Sequence, residues 1–118
     1  MKEYSTENIR NVTLISHSGA GKTTLGDAML FLTGGNDRFG RVDDGTSVLD
    51  FDPEEIRRKT TISTSVAPVE WKNRKVNILD TPGYFDFVGE VRSSLRVADS
   101  ALIIVDAGGV EVGTELVW

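Results

Sequence analysis

Nine consecutive residues carry the densest chemistry in this sequence: Ser16, His17, Ser18, Gly19, Ala20, Gly21, Lys22, Thr23 and Thr24. Gly19 and Gly21 let backbone N–H groups converge on an anion, and a lysine followed by a hydroxyl is what a polyphosphate and its cation require of one loop. Lys22 is expected to bridge β- and γ-phosphates, and Thr23 to offer its hydroxyl to Mg²⁺. Ser16 stands where the first glycine of the phosphate-loop pattern usually falls. A glycine-rich turn before an ordinary helix would explain the glycines, but gives no reason for Gly-Lys-Thr at this offset.

A second cluster runs Asp80-Thr81-Pro82-Gly83-Tyr84. A carboxylate ending a strand can hold Mg²⁺ through water. Three residues on, Gly83 permits a close backbone approach that would sense a γ-phosphate, and Pro82 stiffens the turn. A third stretch, Arg-Arg-Lys-Thr-Thr-Ile-Ser from Arg57, places Thr60 or Thr61 where a hydroxyl can fasten a loop to the cation while γ-phosphate is present. That stretch alone reads as a solvated charged loop; the other two clusters give it meaning.

These residues need a scaffold that brings them to one edge. The apolar runs Val12 to Ser16, Lys75 to Asp80 and Ala101 to Asp106 read as buried parallel strands ending on that edge. Ser65 to Trp71 and Lys75 to Asp80 flank a short polar turn and predict an antiparallel hairpin, with Pro68 confining its first strand to the sheet margin. Leu25, Ala28, Met29 and Leu32 predict the apolar face of a helix after the phosphate loop. A second helix is predicted over Phe85 to Ala98, with Phe87, Val88, Val91 and Leu95 inward and Glu90, Arg92 and Arg96 outside. Residues 34–61 show no clear period and are expected to form a mobile loop. The fold class is α/β: a phosphate-loop NTPase of three layers, its mostly parallel sheet carrying one antiparallel edge hairpin.

Composition narrows the functions. With 118 residues, 13 Lys+Arg against 18 Asp+Glu and a net charge of −5, the chain reads as one acidic domain without a basic stripe for nucleic acid. It has no cysteine and a single histidine, which excludes disulfides and a thiolate zinc site. No run is long enough to span a bilayer, and the N-terminal residues lack a signal-peptide pattern, so a cytoplasmic setting is expected.

Beyond the phosphate loop, "RVDDGTSVLDF", "EEIRRKTTI", "DTPGYFDFVGEV" and "SLRVADSALIIVDAGGVEVGTELVW" resemble the GTP-binding domain of translational GTPases, most closely elongation factor G and its paralogues. The resemblance covers residues 8–118, with residues 1–7 as a tail. It implies a GTP/GDP and Mg²⁺ switch that engages the ribosome in its triphosphate form and hydrolyses GTP, with Thr61 as the magnesium threonine of the first switch. Three departures stand out. Gly19 replaces a phosphate-loop aspartate, which puts a monovalent-cation ligand in doubt. Tyr84 replaces the water-orienting histidine. The guanine-reading Asn-Lys-x-Asp is absent from these residues, so the sequence reads as the N-terminal portion of a longer protein's GTP-binding domain.

A phenol is a poor base near neutrality, yet its O–H can hydrogen-bond a water. Tyr84 is therefore expected to slow intrinsic hydrolysis, unless its ring merely packs against the neighbouring switch. Three functions stay open: a GTPase of elongation-factor-G type, a binding module whose hydrolysis is incidental and whose role is recycling or ribosome protection, and an ATP-using phosphate-loop protein. If strand order follows the family, the strand from Ala101 to Asp106 has an unpaired apolar edge, and self-association or a disordered first switch is expected.

Overall fold

A computed structural model describes residues 2–118. Strand β1, Ile9–Ser16, has its last four residues buried and forms the middle of the sheet. It pairs in parallel with β3, Arg74–Asp80, and with β4, Ser100–Ile104, while β2, Ser65–Trp71, runs antiparallel to β3. The order β2-β3-β1-β4 puts Pro68 on the edge strand, where a missing N–H costs no ladder bond. Lys72 and Asn73 turn the hairpin with φ of 47° and 62°, the left-handed pair that matches the twist of two-residue hairpins.

Helix α1, Lys22–Leu32, covers one face of the sheet. The core there joins Leu30 to Leu14, Leu49, Ala67, Val69 and Ile78. On the other side Ile15, Leu79 and Val91 are buried, the last from α3, Val88–Val97. A short α4, Val112–Val117, also packs on β1. The three layers and the hairpin agree with the sequence reading.

Four details differ from it. The buried side of α1 is Lys22, Thr23, Gly26, Asp27 and Leu30, whereas Leu32 is 76% exposed. Polar side chains occupy that side because they have partners there, Asp27 Oδ1 accepting from Val48 N at 3.1 Å, so apolar periodicity marks it only in part, through Met29, which packs against the core. Phe85–Phe87 form a separate 3-10 turn before α3, and within α3 Ser94 is buried beside Val91 while Leu95 is exposed. Strand β4 stops at Ile104; Asp106 instead bridges to Gly109 across a turn.

The stretch expected to be a mobile loop is packed, and contains α2, Pro53–Arg58. Asp52 and Glu55 form a reciprocal capping box with Pro53 at the first helical position, a complete helix start in four residues. Leu49 anchors this segment against α1, where Gly26 leaves room: a Cβ there would meet Leu49 Cδ1 at 2.5 Å.

Candidate nucleotide site

The carboxyl ends of β1 and β3 deliver the phosphate loop and Asp80 to one place. Gly19 and Gly21 adopt φ of 82° and 94°, a conformation that only glycine takes without strain, and Gly21 caps α1 so that the helix N-terminus faces outward. Gly83 lies so close that a Cβ on it would fall 2.8 Å from Ser18 Cα and 2.9 Å from Ser18 N. The turn after Asp80 therefore touches the phosphate loop backbone to backbone, as its sequence requires. Thr81 and Pro82 are buried behind that contact, Thr81 Oγ1 donating to Leu14 O at 2.6 Å.

Four side-chain oxygens meet here. Thr23 Oγ1 donates to Asp80 Oδ2 at 2.7 Å, Thr61 Oγ1 donates to Asp50 Oδ1 at 2.7 Å, and the two hydroxyl oxygens lie 3.0 Å apart. Each hydroxyl has one proton, and with both carboxylates ionised that proton is already given away. The facing oxygens thus present lone pairs to one another, while Asp80 Oδ1 and Asp50 Oδ2 are buried without hydrogen-bond partners. Lys22 Nζ, itself buried, lies 3.6 Å from Asp80 Oδ1, too far for a hydrogen bond but close enough to offset its charge. An all-oxygen, lone-pair-rich set of this kind fits a hard divalent cation.

Electrostatics follow from the same crowding. Burial pushes the Asp50 carboxyl up to about 6, with Asp80 and Glu55 adding to the rise and the Thr61 hydrogen bond opposing it. Burial likewise raises Asp80, against the pull of Lys22 and the bond from Thr23. Burial is the largest cause of both rises, and neighbouring carboxylates add to it.

A cavity of about 500 Å³ opens above this cluster. Every residue from Ser16 to Thr24 lines it except His17, whose ring turns away: Nδ1 accepts from Gly113 N at 3.0 Å, and Nε2 sits 2.9 Å from Glu111 Oε2. Gly83, Tyr84, Thr60 and Thr61 line the cavity too. Tyr84 is 50% exposed, and its hydroxyl has no hydrogen bond to another of the described residues.

The sequence reading missed Asp50, Arg41 and Lys59, all on the cavity wall. Asp50 follows an apolar pair in a stretch without periodicity, and nothing local marks it as different from Asp43 or Asp44. Lys59 ends α2 at φ 53°, a left-handed position that usually calls for glycine.

A mostly parallel sheet with a phosphate loop after β1, an acid at the end of β3 and a threonine carried in by the intervening loop is the architecture of a phosphate-loop nucleotide switch. Comparison with known proteins places the chain within that class. Residues 7–118 match the elongation factor Tu GTP binding domain. The chain belongs to that family.

It is 44% identical over its whole length to the mitochondrial ribosome-releasing factor 2 of Scheffersomyces stipitis, and 46% identical over 93% of its length to elongation factor G 2 of Syntrophus aciditrophicus. A crystal structure of a Thermus thermophilus protein superposes with a TM-score of 0.90 at 50% identity over 93% of the chain. The chain spans 14% and 16% of the length of the first two proteins and 17% of the third. Among the described residues no helix is long and apolar enough to cross a membrane.

Proposed function

We propose that residues 8–118 form the N-terminal portion of the GTP-binding domain of an elongation-factor-G-like translational GTPase, which binds GTP or GDP with Mg²⁺ and hydrolyses GTP as a ribosome-linked switch in elongation. The observation that carries this reading is the meeting of Thr23, Thr61, Asp50 and Asp80 beside Lys22 at the floor of the cavity. In the proposed roles Thr23 and Thr61 would hold Mg²⁺ directly and Asp80 through water, and Asp50, which accepts from Thr61 Oγ1, joins the proposed set. The loop from Ser16 to Thr24 and the turn from Asp80 to Tyr84 hold the phosphates. Bound there, Mg²⁺ would supply neutralisation of phosphate charge.

Hydrolysis adds water to the γ-phosphorus and releases GDP and phosphate. Lys22 stabilises charge on the phosphates, the Gly83 N–H holds a γ-oxygen, and Tyr84 occupies the place from which a water is oriented. A neutral phenol supplies no positive charge there, so intrinsic hydrolysis is slow and turnover depends on the ribosome. The working location is cytoplasmic.

A second reading gains support from the relatives: one is named for ribosome release, the other for elongation. In it the nucleotide is held as a switch with little intrinsic hydrolysis, and the protein acts in ribosome recycling or protection. Calorimetric competition in the full-length protein tests the shared part, with GTP and GDP expected to displace one another and ATP to fail; equal competition by ATP would contradict it. Hydrolysis with and without ribosomes then separates the two readings. The open edge of β4, with Leu102 and Val105 exposed, supports a further proposal that the chain self-associates through residues 101–106.

A further inference from the structure

Glu55 is only 2% exposed although it belongs to a short helix in a surface segment. Both of its oxygens are engaged. Oε2 accepts from Asp52 N at 3.2 Å, closing the start of α2, and Oε1 accepts from Ile62 N at 3.0 Å and from Ser63 N at 3.1 Å. The next amide, Thr64 N, donates to Glu90 Oε2 at 2.8 Å, and Thr64 Oγ1 lies 3.1 Å from Ser94 Oγ. Glu90 and Ser94 belong to α3, the helix that follows the Asp80–Tyr84 turn. Helical periodicity assigns Glu90 to the outer face; the structure turns it onto the loop.

Three consecutive amides immediately after Thr61 are therefore held by two carboxylates. The stretch from Thr61 to Thr64 lies outside the sheet, so these N–H groups have no ladder partners. Bonds from N–H to a carboxylate are among the stronger ones available. The two acids come from different places: Glu55 from the long loop's own helix, Glu90 from the element attached to the γ-phosphate turn. We propose that Glu55 and Glu90 are positioning residues that together set Thr61 on the metal site and couple the loop carrying it to α3, so that the segments on either side of the γ-phosphate close as one unit. This rests on the magnesium–nucleotide reading above.

The consequence is selective. Thr61 matters to the triphosphate-bound form, so loosening its support should weaken a GTP analogue without touching GDP. The test is equilibrium binding of a non-hydrolysable GTP analogue and of GDP, both with Mg²⁺, to the full-length protein. Glu90→Ala is expected to weaken the analogue about tenfold, the scale of the one charge-assisted hydrogen bond it loses, and Glu55→Ala, which loses two to the segment after Thr61, by at least as much, with GDP affinity unchanged. Glu90→Gln keeps an acceptor for Thr64 N and should recover most of the loss. Adding Glu55→Ala to Thr61→Ala should cost nothing further.

Equal losses for both nucleotides, an unchanged ratio, or additive effects with Thr61→Ala would each overturn the proposal and leave the acids as ordinary supports. Should Glu55→Ala not fold, the Glu90→Ala and Glu90→Gln pair carries the same test. Wild-type protein without Mg²⁺-dependent analogue binding would overturn the underlying nucleotide reading instead.

Discussion

At Tyr84 a chemically ordinary residue stands in an unusual place. It lines the cavity, half exposed and without a side-chain hydrogen-bond partner among the described residues. Replacing it with an imidazole introduces a group able to share positive charge, and Tyr84→His is expected to raise single-turnover hydrolysis on ribosomes about tenfold or more, part of the ~10²–10⁴-fold that a positioned proton-transfer group supplies. An unchanged rate would show that Tyr84 already performs the task. Its neighbour Gly83 has no room to vary. In Gly83→Ala the new Cβ meets the Ser18 backbone, which cannot rotate aside as a side chain can. The cost is expected to be about 1–3 kcal/mol of overpacking in urea unfolding, with analogue affinity lost as well.

The long connection between α1 and β2 shows at the scale of elements what holds a switch in place. Leu49 is its apolar anchor and is almost fully buried beneath Gly26. Leu49→Ala is expected to cost about 2–5 kcal/mol in urea unfolding and to expose residues 34–61 to proteolysis. A variant that stays as stable and as resistant as wild type would show that the segment is not packed through this residue. The strands and the hairpin were legible in the sequence because β-branched runs, Pro68 and the polar turn each impose one conformation. The buried side of α1 was not, since Thr23 and Asp27 are inside for their hydrogen bonds and apolar spacing is silent about them. Helix α2 left a readable trace, Asp-Pro-Glu-Glu, but it opens only six residues of helix and was outweighed by the absence of periodicity around it. Asp50 left none: its importance exists only once the loop has folded over Thr23.

Across the whole molecule, the sheet is closed on one side by an edge strand bearing Pro68 and open on the other. Strand β4 is paired along one margin only, and Leu102 is 41% exposed. Light scattering over a broad concentration range should show association of this chain, reduced in Leu102→Lys; a monodisperse monomer at every concentration would contradict the edge proposal. At the site a single buried lysine meets two buried carboxylates, Asp80 and Asp50, at opposite ends of the Thr23–Thr61 hydroxyl pair; in the proposed reading a divalent cation offsets their charge toward an anionic ligand. The most direct test is calorimetric titration of the full-length protein with a GTP analogue, with Mg²⁺ and with a chelator, alongside Thr23→Ala. The expected result is binding that weakens at least about tenfold when Mg²⁺ is removed and is correspondingly insensitive to Mg²⁺ in Thr23→Ala, a tenfold change being ~1.4 kcal/mol. Affinity indifferent to Mg²⁺ in the wild type would contradict the assignment of this oxygen cluster as the metal site.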